Sequence, residues 1–210
     1  MKKALVKGTD RRFKDTKLPS NLKLDEVSLV VFDMETTGID ATLDRITEIA
    51  AIRVENQQVI EKFHSYVKPD IALSPATIEI TGITKKKLEN KPSIDDVLPC
   101  FLKFVEGSVL VTHNAKFDVS FLNAACLRQG VMFERPCICT LKMAKALVSN
   151  IDIHSLENLA KHYGFTFKTR GSLDDARFTY SVLKGLLQNE GKHLTRYRYL
   201  KPFLLSFFDP

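Results

Sequence analysis

Asp33 and Glu35 stand two residues apart at the end of an apolar, β-branched run, in the stretch Val30-Val31-Phe32-Asp33-Met34-Glu35-Thr36-Thr37-Gly38. Such a run reads as a buried strand, and side chains at i and i+2 of a strand share a face, so the two carboxylates converge. Like charges held that close in a low-dielectric setting persist when a cation sits between them. Oxygen ligands of this kind suit Mg²⁺ or Mn²⁺ rather than zinc, which favours nitrogen and sulfur donors. Two more acids lie in compact motifs downstream. Asp118 belongs to His113-Asn114-Ala115-Lys116-Phe117-Asp118, which follows the short strand Val109-Leu110-Val111 and opens an amphipathic helix. Asp175 belongs to Ser172-Leu173-Asp174-Asp175-Ala176, which opens another. A plainer account exists for each: Asp33 as a turn residue before Gly38, Asp118 behind an Asn114 cap, Asp175 as a first-turn acid behind a Ser172 cap. Their joint occurrence favours chemistry.

The elements that must position these acids follow from periodicity and turn chemistry. Val27 to Asp33, Ile46 to Val54 and Val59 to Val67 read as three successive strands of a meander, with turns at Gly38 to Asp44 and Asn56-Gln57. Ala50 and Ala51 leave room for close packing on the middle strand. Ser74-Pro75 starts a short helix that Gly82 ends, and Ser93 caps a helix running to Val105 before the strand Ser108 to Thr112. Helices are then expected at Ala115 to Gln129, Leu141 to Val148, Ser155 to Tyr163 and Ser172 to Gln188. The sum is an α/β fold, a mixed β-sheet flanked by helices, with the four acids at strand ends and helix starts where ligand sites gather. A length of 210 residues suits one domain with a full core. We divide it into a basic N-terminal arm (1–24), a catalytic domain (25–190) and a C-terminal tail (191–210).

Taken together, D-x-E-T-T-G, H-N-A-x-F-D and the final L-D-D-A resemble the three exonuclease motifs of the DEDD superfamily. The nearest likeness is to the proofreading exonuclease of bacterial DNA polymerase III. The segments Phe63-His64-Ser65-Tyr66-Val67-Lys68-Pro69 and Ile80-Thr81-Gly82-Ile83-Thr84 look like that family too, and the resemblance runs from about Val27 to Leu187. It implies a ribonuclease-H-like fold and two divalent cations, Mg²⁺ or Mn²⁺, held by Asp33, Glu35, Asp118 and Asp175. It also implies stepwise 3′–5′ release of nucleoside 5′-monophosphates, with the terminal nucleotide held around Thr36 and Thr37 and, less directly, Thr81. The match carries one departure. The His branch of the superfamily has its general-base histidine five residues before the last aspartate, and that position is Arg170; the Tyr branch would need a tyrosine at Gly171. A guanidinium stays protonated and cannot act as a base, so Arg170 would instead hold the scissile phosphate or offset its developing charge, and a slowed enzyme is expected. His154 and His162 lie nearby in sequence but off the motif spacing.

A net charge of +6 fits a polyanionic partner. Much of the excess lies in the arm, where Lys2, Lys3, Lys7, Arg11, Arg12, Lys14, Lys17 and Lys23 face only Asp10 and Asp15. Nucleic acid, DNA before RNA, is therefore the expected partner, with Lys116, Lys168 and Arg170 as further phosphate contacts. The arm is otherwise a solvated terminus. Cys100, Cys126, Cys137 and Cys139 lack a zinc-clamp spacing and read as reduced thiols. No signal-peptide core or membrane-length apolar run occurs, so a cytoplasmic protein with no membrane contact is expected. Two other functions fit the same residues: a weak or inactive nucleic-acid-binding module, and a DNA polymerase subunit that interacts through the aromatic tail Tyr197 to Pro210. That tail could equally fold back over the protein's own core.

Overall fold

The computed structural model describes residues 12–14, 23–166, 171–194 and 196–205. In chain order the strands are β1 (Arg12–Lys14), β2 (Leu29–Thr36), β3 (Ile46–Glu55), β4 (Gln58–Tyr66), β5 (Val109–Thr112), β6 (Met132–Glu134), β7 (Cys137–Cys139) and β8 (Leu204–Leu205). The helices are α1 (Pro75–Thr81), α2 (Lys85–Leu88), α3 (Ile94–Phe104), α4 (Ala115–Arg128), α5 (Thr140–Leu147), α6 (Leu156–His162) and α7 (Ser172–Gly185). Six strands form one mixed sheet in the order β4-β3-β2-β5-β7-β8. The β4-β3-β2 meander is antiparallel, β2, β5 and β7 run parallel, and β8 returns antiparallel. A separate parallel pair joins β1 to β6.

Local chemistry explains most of these boundaries. Asn56 and Gln57 both adopt positive φ (49° and 63°), the twist a two-residue hairpin needs between β3 and β4. The Ser74 hydroxyl accepts from Thr77 N–H at the start of α1 (3.0 Å), Pro75 takes the first helical position, and Gly82 closes the helix in the left-handed region. The sheet separates two cores. Phe32, Phe101, Phe121 and Leu122 fill one, under α3 and α4; Val31, Ile52, Leu159, Val182 and Leu183 fill the other, under α6 and α7.

Several elements go beyond what the sequence settled. Cys137-Ile138-Cys139 forms a buried strand of the central sheet, and the thiols of Cys126, Cys137 and Cys139 are buried and unpaired. Pairing with β5 on one side and β8 on the other makes this short segment a strand, which its length hides in the sequence. Part of the basic arm, residues 12–14, pairs as β1, while the rest of residues 1–22 lies outside the described residues. In the tail, Leu200 and Phe203 join the second core and Leu204–Leu205 pair with β7, so residues 196–205 fold back on the chain; residues 206–210 lie outside the described residues. Beyond Gly185 the helix widens into a π turn at Leu186–Glu190.

Candidate active site

Alternation along β2 sends Val30, Phe32 and Met34 into the first core and Leu29 and Val31 into the second. Asp33 and Glu35 therefore emerge together on the second face, beneath the start of α7. β5 pairs with β2 only as far as Val31, so the end of β2 that carries both acids is left open on that side. α4 begins just past β5, and Asp118 in its first turn fills part of that gap. α7 contributes Asp175 from its own first turn, while the adjacent Asp174 turns away to pair with Arg177 at 2.6 Å. Oxygen atoms of Asp33, Glu35 and Asp175 all lie within 4.8 Å of one another. Asp118 stands beside this trio, only 3% exposed, with Oδ2 accepting from the Thr112 hydroxyl at 2.9 Å.

Capping does not explain these positions. Asn114 sits before α4 in the left-handed region with no side-chain hydrogen bond to the helix, and Gly171, not Ser172, precedes α7; Ser172 is fully buried as its first residue. Electrostatics agrees with a site awaiting charge. Burial, then the charges of Asp118, Asp175, Glu35 and Glu48, holds the Asp33 carboxyl well above its usual range. Glu35 is pushed up to about 7 by burial and by Glu48 and Asp175. Burial also lifts Asp118 to about 7 against the opposing pull of Thr112 and of backbone N–H groups at Asp118 and Met34. A cluster that resists ionisation on its own gains most from a bound cation, and an all-carboxylate donor set fits a hard ion such as Mg²⁺ or Mn²⁺.

The loop after β2 is held rigid. Register jumps between Glu35↔Glu48 and Thr36↔Ile46, a bulge of the kind that re-aims a strand end beside a site. Thr36 Oγ1 donates to Gly38 O (2.5 Å), and Thr37 Oγ1 donates to Asp44 Oδ1 (2.9 Å) while accepting from Arg45 N–H (3.0 Å). A Cβ on Gly38 would run into the Asp44 carboxylate, which explains the glycine. Thr77 Oγ1 donates to Thr37 O (2.6 Å), tying α1 to this loop, and Thr81 Oγ1 donates to Thr77 O (2.8 Å). The three threonines named from the sequence thus hold the loop with their hydroxyls, and Thr81 joins it only through Thr77. Arg170 and Lys168 lie outside the described residues. Of the nearby histidines, His154 is bonded to Val148 O at 2.8 Å and His162 packs edge-on against Tyr163.

Residues 30–183 match the RNase T exonuclease family model. The chain belongs to this exonuclease family. It is 42% identical over 160 residues to a DNA polymerase III of PolC type from Thermotoga petrophila and 37% identical over 167 residues to that of Bacillus subtilis. Those alignments cover 75% and 78% of this chain but 12% of each relative, so the exonuclease domain corresponds to a small part of a much longer polymerase chain. Among solved structures, exonuclease X in complex with 5′ overhanging duplex DNA superposes with a TM-score of 0.67 at 27% identity, covering 83% of this chain and 99% of that one. The mixed sheet is the ribonuclease-H-like fold of these exonucleases. Among the described residues no helix is long and apolar enough to cross a membrane.

One residue beside the acidic cluster escaped the motif reading. Glu48, on β3 directly opposite Glu35, is 4% exposed and accepts or shares a hydrogen bond with His64 Nε2 at 2.6 Å. Its signal in the sequence is a lone acid inside the apolar run Ile46-Thr47-Glu48-Ile49-Ala50-Ala51.

Proposed function

We propose that this protein is a divalent-metal-dependent 3′–5′ exonuclease that releases nucleoside 5′-monophosphates from single-stranded or frayed DNA ends, in the setting of DNA proofreading or repair. The observation that carries this reading is the convergence of Asp33, Glu35 and Asp175 within 4.8 Å, with Asp118 alongside, in a chain of the exonuclease family. These four carboxylates would hold two cations, Mg²⁺ or Mn²⁺. Bound there, the ions supply a more acidic attacking water and charge stabilisation for the departing 3′ oxygen.

The chain's own contribution is placement. Thr112 fixes the Asp118 carboxylate, and the internal bonds of the Thr36 and Thr37 hydroxyls, with Thr77 on Thr37 O, hold the Thr36–Thr37 segment as a preset rim for the last nucleotide. Arg170 supplies a fixed positive charge at the family's base position, where it holds the scissile phosphate without taking a proton. A lost general base costs about 10²- to 10⁴-fold, so turnover is slow and dominated by the ions. Similarity to PolC-type polymerases supports a polymerase partner and a cytoplasmic location. The test is product analysis on single-stranded oligonucleotides blocked at one end. With Mn²⁺, a blocked 3′ end should stop release of 5′-monophosphates and a blocked 5′ end should not. Release that persists from a blocked 3′ end, or 3′-monophosphate products, would overturn the assignment.

A further inference from the structure

The strand register places more than the motif acids on the site face. Asp33 pairs with Ala50, which pairs with His64; Glu35 pairs with Glu48, which pairs with Tyr66. Two rows of three thus cross β2, β3 and β4, and because alternate residues share a face, all six project to the same side. Ala50 fills the centre of the first row with a single methyl. His64 can therefore lean diagonally across it to the second row, and its Nε2 meets Glu48 Oε1 at 2.6 Å.

Glu48 is in an unfavourable place for an idle acid. Cβ atoms of directly opposite strand residues lie about 4.5–5.5 Å apart, and like charges there repel. It is 4% exposed, and its charge is felt by both Glu35 and Asp33. Among the described residues His64 is its one hydrogen-bond partner, through Oε1, while the strand register sets the residue directly opposite Glu35. A buried acid anchored by a partner and set directly against a candidate ligand can orient the neighbourhood of a metal.

We propose that Glu48, anchored by His64, is a positioning residue of the metal site that sets the orientation of Glu35 and holds water bound at the ions. This rests on the metal-site reading above.

The test is Mn²⁺ affinity of the nucleic-acid-free protein, followed by electron paramagnetic resonance of the free ion, with thermal melting in chelator alongside. Glu48→Gln keeps shape and loses the charge, and it should weaken Mn²⁺ binding by about 10- to 100-fold. His64→Ala should weaken it similarly, and His64→Gln, which retains a donor, should recover most of the loss. His64 is 38% exposed, so its variants fold and decide the matter if Glu48→Gln does not. Asp33→Ala serves as the reference. If Asp33→Ala loses Mn²⁺ binding while Glu48→Gln and His64→Ala bind within twofold of the parent, Glu48 is only a structural ion pair and the inference fails. If Asp33→Ala itself binds Mn²⁺ like the parent, the metal-site reading fails instead.

Discussion

The raised carboxyls make the metal-free exonuclease sensitive to pH in a way one substitution isolates. Glu35 titrates near about 7 in the folded protein against 4.5 ordinarily. A folded value above the unfolded one contributes stability that is fully present below the unfolded value and lost as pH rises through the folded one. At pH 5 the contribution is about 2.5 kcal/mol, and by pH 8.5 it is gone. His113 works in the opposite direction. Burial presses it down to about 4, with the hydrogen bond to His154 O opposing and the His154 side chain adding slightly, so its contribution is present above 6.5 and lost as pH falls. These two trends offset each other between pH 5 and 8.5, which leaves the raised carboxyls of Asp118 and Asp33 to make the parent less stable as pH rises. The difference between parent and Glu35→Gln removes His113 from the comparison. With chelator present, Glu35→Gln should gain about 2–3 kcal/mol on the parent between pH 5 and 8.5. For a chain of this length that is about 5–10 °C in melting temperature. Saturating Mn²⁺ should erase most of the gain by stabilising only the parent. Calorimetric melts of both proteins decide it. A difference that does not vary with pH, or one that favours the parent as pH rises, would refute the claim that Glu35 is held protonated in a buried acidic cluster.

Other expectations follow from individual bonds. Thr112→Val removes the hydroxyl that fixes Asp118 and should raise the Mn²⁺ concentration for half-maximal activity by about tenfold; an unchanged titration would count against Asp118 as a ligand. Asp44→Ala frees the Thr37 hydroxyl and the Asp40 amide, two bonds worth about 1 kcal/mol each, and should raise KM for oligonucleotide more than it lowers kcat. An effect on kcat alone would place the loop's role elsewhere. Arg170→His should raise hydrolysis by at least about tenfold and introduce a pH dependence near the range of histidine; identical rates and profiles would show that position 170 does not face the phosphate.

The legible parts of this protein are those in which local chemistry and long-range packing agree. Asp33 and Glu35 were readable because two acids ending a β-branched strand have few quiet roles, and Ser74-Pro75 with Gly82 bounds α1 by capping alone. The register of β3 against β2 was not readable, and with it went Glu48, whose meaning depends on lying opposite Glu35. The same holds for Cys137-Ile138-Cys139 and Leu204-Leu205, which are too short to show a period and become strands only through their neighbours. Ser172 looked like a helix cap because serine usually is one, but burial takes it into the first turn and leaves Gly171 at the cap. Asp174 and Asp175 differ in the sequence only through the motif, which picks Asp175, and the pitch of α7 turns Asp174 out to Arg177 and Asp175 in to the acidic cluster.

The most direct test of the account is the rate of nucleotide release from a 5′-labelled single-stranded DNA at saturating Mn²⁺, parent against Asp33→Ala. The parent should shorten the strand from its 3′ end one nucleotide at a time. Asp33→Ala, relieved of repulsion among its carboxylates, should fold at least as stably and release nothing measurable. Equal release by the two proteins would contradict the assignment of these carboxylates as the centre of the reaction.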